Sequence, residues 1–181
     1  MTMSKNKNAL DVAMKAAKDG DVQTVKEFIA AKKNINVQEK DGRTLLMNAA
    51  SNRHGEIVKL LLDSGADVHI LTNSQKTVLN YTLCSAFGFN TGGKRGSYST
   101  LEILSLLLAR NPAVSQSDIS FAILFHGQDV LNFLLKKVTA NHRLLLQAID
   151  YAEKNAFEYD LDEASVDKNI NIVRSCLKHL K

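Results

Sequence analysis

The strongest constraint on this chain is internal. It resembles itself at a spacing of about 33 residues, and each copy holds two short apolar patterns of helical period. The clearest copy opens Asp41-Gly-Arg-Thr-Leu-Leu-Met-Asn-Ala-Ala and continues through Gly55-Glu-Ile-Val-Lys-Leu-Leu-Leu-Asp-Ser-Gly-Ala-Asp-Val-His69. Leu45, Leu46, Ala49 and Ala50 fall on one helical face, and Ile57, Val58, Leu60, Leu61 and Leu62 on a second, with a polar turn between. Thr44 stands where the first helix needs an N-cap, and Gly65 where the second needs a left-handed C-cap. A helix pair this small cannot bury its apolar face alone, so it must stack on copies of itself.

The other copies are weaker. Ala16, Ala17, Gly20, Val25, Lys26, Phe28, Ile29, Ile35 and Asn36 repeat the pattern one period earlier, and Thr77-Val-Leu-Asn-Tyr-Thr opens it one period later. The outer helix of this third copy, Leu101–Leu108, arrives late. In the clear copy the span runs from Thr44 to Leu62, but here it runs from Thr77 to Leu108, so an insertion of about 13 residues separates the helices. A fourth unit reads Asp118–Phe125 then Asp129–Leu135. A fifth reads Leu144–Ile149 then Ile170–Leu177, with an insertion of about 16 residues inside it. The expected boundaries are 8–38, 39–71, 72–114, 115–140 and 141–181, in a single domain with insertions near 86–99 and 154–168.

Composition agrees with helices. The 181 residues include one proline, nine glycines and no tryptophan, too few turn-breakers for an all-β fold. The longest apolar run, Leu101–Ala109, is broken by Glu102 and Ser105, so no segment reads as membrane-spanning. No signal peptide is legible, which reads as cytoplasmic, or as periplasmic or secreted if a leader preceded residue 1. Cys84 and Cys176 match no metal-ligand spacing and read as reduced thiols. The net charge of +4 comes from basic and acidic residues that are interleaved, whereas nucleic-acid binders concentrate their charge.

The copy at 41–69 resembles the ankyrin repeat family, whose pattern is D-G-x-T-P-L-H-x-A-A, then G-H-x-E-V-V-K-L-L-L, then G-A-D-V-N. Asp41, Gly42, Thr44, Leu46, Ala49, Ala50, His54, Glu56, Val58, Lys59, Leu60 to Leu62 and Gly65 to Val68 all match. Leu45 replaces a proline, Met47 a histidine, Arg53 a glycine and His69 an asparagine. The resemblance implies an all-α ankyrin-repeat α-solenoid of about five helix pairs, with fingers along one edge.

Candidate chemistry does not assemble. Gly88-Phe-Asn-Thr-Gly-Gly-Lys94 has phosphate-loop spacing, but Arg95 stands where a Ser or Thr should hold magnesium. Asp160, Asp162 and Glu163 lack the other ligands of a calcium loop. His54, His69, His126, His142 and His179 sit in different repeats and read as structural, His54 through hydrogen bonds within its own repeat. No catalytic residues, metal site or cofactor are expected.

The resemblance instead implies binding of another protein, by a chain that is monomeric when free. Its fingers and concave face point to Glu39, Lys40, Asp41, Arg43, Ser51 and Asn52, then Thr72, Asn73, Ser74 and Lys76. Phe89, Lys94, Arg95 and Tyr98 in the first insertion offer an aromatic anchor beside cations, of the kind enriched at hot spots. The second insertion, with Glu153, Glu158, Asp160, Asp162 and Glu163, has the opposite sign. An inhibitor or regulator of one protein partner is the leading expectation. An adaptor bridging two proteins is the alternative, and a nucleic-acid binder ranks below both.

Overall fold

The computed structural model describes residues 2–84, 95–137, 142–156, 159 and 161–179, with residues 2–8 and 179 described by backbone alone. Ten helices run through them: α1 (Thr2–Asp19), α2 (Val22–Ala30), α3 (Leu45–Ser51), α4 (Gly55–Asp63), α5 (Val78–Cys84), α6 (Thr100–Leu108), α7 (Gln116–Phe125), α8 (Gln128–Leu135), α9 (His142–Asn155) and α10 (Glu163–His179). The protein is an all-α repeat fold of helix pairs. Where the sequence suggests one domain, the chain divides into two compact units, Met1–Pro112 and Ala113–Lys181.

In the first unit α1/α2, α3/α4 and α5/α6 form three pairs. The inner helices α1, α3 and α5 pack in chain order, as do the outer helices α2, α4 and α6. Every residue of α3 is buried, because it lies between α1 and α5 and is backed by α4. Its small residues Ala49 and Ala50 are buried, as are Ala13, Ala16 and Ala17 on α1, and small side chains on both helices let the packed backbones approach closely. Leu61 is 0% exposed in the layer that α4 contributes. Leu60, expected in that layer, is only half-buried, and Ile57, Val58, Leu61 and Leu62 fill it instead. The expected caps form: Thr44 Oγ1 accepts from Met47 N–H at 3.3 Å, and Gly65 follows α4 at φ +89°.

The repeat is stricter in its backbone than in its residues. In the first unit three kinds of place take positive φ: the turn between paired helices (Gly20 at +84°, Arg53 at +62°), a position shortly after the outer helix (Lys32 at +50°, Gly65 at +89°, Asn111 at +58°) and the finger tip (Gly42 at +88°, Gln75 at +59°). Glycine takes this region freely, and other residues at a cost of about 1–2 kcal/mol each. The packing of the stack therefore sets the conformation, and the side chain accommodates it.

The second unit pairs α7 with α8 and α9 with α10, and α7 lies against α9 and α10. Ser115 and Asp118 form a reciprocal capping box at the start of α7, whose residues from Asp118 to Phe125 are all buried. Asn169 of α10 closes the other end of α7, donating from Nδ2 to the carbonyls of Ile123 (2.9 Å) and His126 (3.0 Å). The second insertion differs from the expectation at 154–168. Helix α9 runs on to Asn155 and α10 begins at Glu163, because Ala148, Ala152 and Ala156, and then Val166, Ile170 and Val173, bury apolar side chains at helical spacing. Most of the extra length is helix. Glu153 accordingly stands on α9, paired with Arg174 of α10 at 2.6 Å, while Glu158 and Asp160 lie outside the described residues.

Candidate functional site

The fingers begin as short hairpins fixed by local chemistry. In the first, Gln38 pairs with Thr44 across an antiparallel bridge, Glu39 N–H donates to the Arg43 carbonyl at 2.8 Å, and Gly42 N–H to the Glu39 carbonyl at 2.9 Å. Asp41 stabilises the tip twice, accepting from Arg43 N–H at 3.1 Å and from Arg43 Nε at 2.7 Å. In the second, Thr72 N–H donates to the Lys76 carbonyl (3.1 Å), and Thr72 Oγ1 accepts from Lys76 N–H (3.1 Å).

Neighbouring fingers then lock together. Asn73 donates from its backbone to Asp41 O at 3.0 Å and from Nδ2 to Lys40 O at 2.8 Å, while Gln38 Nε2 reaches Leu71 O at 3.0 Å. Gly42 is required by its φ and by space, since a Cβ there would lie 2.6 Å from Asn73 N. The tips thus form one platform with its polar backbone groups already committed.

A chain of charges runs from the platform to α1. Arg43 contacts Asp41 at 2.7 Å and Glu39 at 3.5 Å, and Glu39 contacts Lys18 at 3.4 Å. Beside it stands Tyr81 of α5. Burial pushes the Tyr81 phenol above its ordinary range; the positive charge of Arg43 opposes this, Asp41 adds to it, and a hydrogen bond with Thr72 opposes it. Tyr81 is not among the residues that the sequence singled out. Its signal was position, one repeat after Asn48 on the inner-helix face. Leu71, 43% exposed, adds apolar area beside the second finger.

The expected binding residues divide into four groups. Lys40, Asp41, Asn73 and Ser74 are exposed at the tips, and Arg43 and Lys76 are half-buried at their base. Ser51 and Asn52 are a correction. At 3% and 5% exposure they lie inside, with Ser51 Oγ and Asn52 Nδ2 both bonded to the Asn48 carbonyl, so they offer a partner nothing. Arg95 and Tyr98 stand at the other end of α3, where Gly96 N–H donates to the Asn52 carbonyl at 2.7 Å. There Tyr98 folds onto Gly55 rather than projecting, with Lys59 Nζ 5.4 Å from its ring centre. Phe89 and Lys94 lie outside the described residues, as do Phe87 and the glycine-rich stretch 88–93. His54 departs from the expectation too: its Nε2 bonds the Lys18 carbonyl at 2.9 Å, tying its repeat to the preceding one. Among the described residues no three His, Cys, Asp or Glu side chains converge on a metal-sized site, and no helix is long and apolar enough to cross a membrane.

Stacked helix pairs with an interlocked row of fingers define a class: a repeat protein whose working part is an extended surface. Residues 13–92 match the model for ankyrin repeats, in three copies. That segment therefore carries ankyrin repeats, which are generic modules for protein–protein interaction. It is similar to the ankyrin repeat, SAM and basic leucine zipper domain-containing protein 1 of Mus musculus, 34% identical over 97 residues that make up 54% of this chain and 18% of that protein. To the Homo sapiens protein of the same name it is 32% identical over 117 residues, 64% of this chain and 23% of that one. An ankyrin repeat protein of fowlpox virus is 38% identical over 60 residues, 33% of this chain and 8% of the viral one. The chain spans about a fifth of the length of the mouse and human relatives.

Proposed function

We propose that the chain is a regulator that binds one protein partner and masks it, using the finger tips and the Tyr81 face as its main contact. The observation that carries this reading is the interlocking of the fingers through Asn73, Lys40 and Asp41. A platform fixed before binding loses little conformational entropy on association, so its exposed side chains can be spent on recognition. An aromatic ring beside an arginine, as at Tyr81 and Arg43, is the composition that hot spots favour. The division into two compact units supports a second reading, an adaptor with one partner on each unit.

The test is capture from the native host followed by affinity measurement with Lys40→Glu/Lys76→Glu. On the leading reading affinity falls at least tenfold while the circular dichroism spectrum is unchanged, because rim charges move stability by no more than about 0.5 kcal/mol each. Unchanged affinity would remove the fingers from the interface. A salt series separates the nucleic-acid alternative, which demands a steep logarithmic loss of affinity with salt.

A further inference from the structure

The first helix pair differs from the two behind it at one face. Positions 12, 45 and 78 stand one repeat apart, and there Leu45 and Val78 are 0% and 1% exposed while Val12 is 51% exposed. Thr24 is half-buried where its counterparts Ile57 and Ile103 are fully buried. Helices α3 and α5 each have an inner helix in front of them, whereas α1 has none among the described residues. The preceding pair is therefore what covers Leu45 and Val78, and its absence leaves Val12 bare. The bare face continues the interface that stacks the first unit.

A terminal repeat stays soluble by turning polar residues outward. Here Val12 lies instead with Ala9, Ala13, Phe28 and Ala31 around an open apolar groove between α1 and α2. Lysine or glutamate at position 12 would form helix better than valine and would remove no packing from the described fold. Valine suits a covered face rather than a solvated one.

The rim of the groove carries one charge of each sign. Glu27 is exposed and accepts a hydrogen bond from Gln23 at 3.1 Å. Lys33 is half-buried, its Nζ 5.6 Å from the centre of the Phe28 ring. Neither forms an ion pair among the described residues. A partner surface of one sign would satisfy one of these charges and oppose the other, but a second copy satisfies both. In a twofold contact each residue meets its counterpart's neighbour and the reverse, so Lys33 can face Glu27 on both sides of the axis. Ala9 and Ala13, four positions apart, share one face of α1, and their small side chains let another helix come close.

We propose that the chain associates with a second copy of itself through this groove, in place of the monomer that the family resemblance implies. Each Val12 enters the other copy's hollow over Ala13 and Phe28, and each Lys33 pairs with the other's Glu27. A face two short helices wide lies at the low end of specific interfaces, so the dimer is weak. None of these residues belongs to a finger, so each copy keeps its platform. On the reading of the chain as a protein binder, two platforms would hold a partner that displays its epitope twice more tightly than one does. The association itself does not depend on that reading.

The test is sedimentation velocity of the full chain over about a hundredfold range of concentration. Expected is a mass that rises from one copy towards two and stops there. Val12→Glu sets a carboxylate in the apolar contact of both copies and should raise the dissociation constant at least about tenfold. Its circular dichroism spectrum should be unchanged, because the position is exposed. Glu27→Lys and Lys33→Glu should each weaken association alone, by setting like charges opposite, and should pair with one another when mixed, since every contact is then complementary again. The Lys40→Glu/Lys76→Glu variant should dimerise like wild type, so the dimer and the finger reading fail separately. A wild-type chain that stays single at every concentration, or one that grows beyond two copies, would overturn the proposal. So would a Val12→Glu variant that associates like wild type, or a mixture of the two charge variants that associates no better than either alone.

Discussion

Gly55 opens α4 with its bare Cα against the ring of Tyr98, and a Cβ there would overlap Cγ, Cδ1 and Cε1 of that ring. Cγ is the root of the ring, so rotation about χ2 cannot clear the overlap and Tyr98 must withdraw. Withdrawal breaks its contacts with Lys59, whose Nζ lies 5.4 Å from the ring centre and 3.4 Å from the hydroxyl. Forcing extra volume into a filled site costs about 1–3 kcal/mol, and an exposed cation–π contact is worth about 0.5–1 kcal/mol. Against this, alanine is a better helix former than glycine by at most about 1 kcal/mol. Gly55→Ala should therefore destabilise by about 0.5–3 kcal/mol, with the full propensity gain subtracted. In a Tyr98→Ala background the obstacle is gone, and the same change should be neutral or stabilising by up to about 1 kcal/mol. Urea denaturation of the four proteins closes the double-mutant cycle. An equal loss from Gly55→Ala in both backgrounds would refute the packing of Tyr98 on this turn.

Leu61→Ala should cost about 2–5 kcal/mol in chemical denaturation, as for a fully buried leucine, and a loss below about 1 kcal/mol would contradict its place in the stack. Asn169→Ala should cost about 1–3 kcal/mol by stranding the carbonyls that end α7; a variant as stable as wild type would show that those carbonyls find other donors. The carboxyls of Asp21, Glu102 and Asp162 are held below their ordinary range by cap hydrogen bonds, Asp21 chiefly from the Thr24 side chain, Glu102 from the Ser99 backbone and Asp162 from the Ser165 side chain. Their folded pKa values are depressed, so the stability they add is complete above the unfolded carboxylate pKa, near about 4, and is lost as pH falls through the folded values. The urea midpoint should fall on acidification, and less steeply in Asp21→Asn/Glu102→Gln/Asp162→Asn; parallel slopes would exclude the caps as its cause.

What the sequence determined by itself was everything carried by short-range physics. Apolar period, the Thr44 cap and Gly65 are read within one or two turns of chain, so the repeat, the helix pairs and the finger positions were legible. Helix-spaced Ala148, Ala152 and Ala156 were legible too, but an insertion inferred from repeat length alone obscured them. The tertiary structure decided the rest. Ser51 and Asn52 belong to an inner helix that would be half-exposed in isolation, and only neighbours on both sides bury them. His54 matched its family position, yet its partner, the Lys18 carbonyl, lies in another repeat. Tyr98 and Arg53 acquired their surroundings from the return of the insertion across the turn between α3 and α4. Tyr81 came beside Arg43 and Asp41 only when adjacent repeats stacked. Helix formation and capping depend on residues within about four positions along the chain. Burial, desolvation and the pairing of charges depend on what the stack brings within a few ångströms, and no local pattern encodes that.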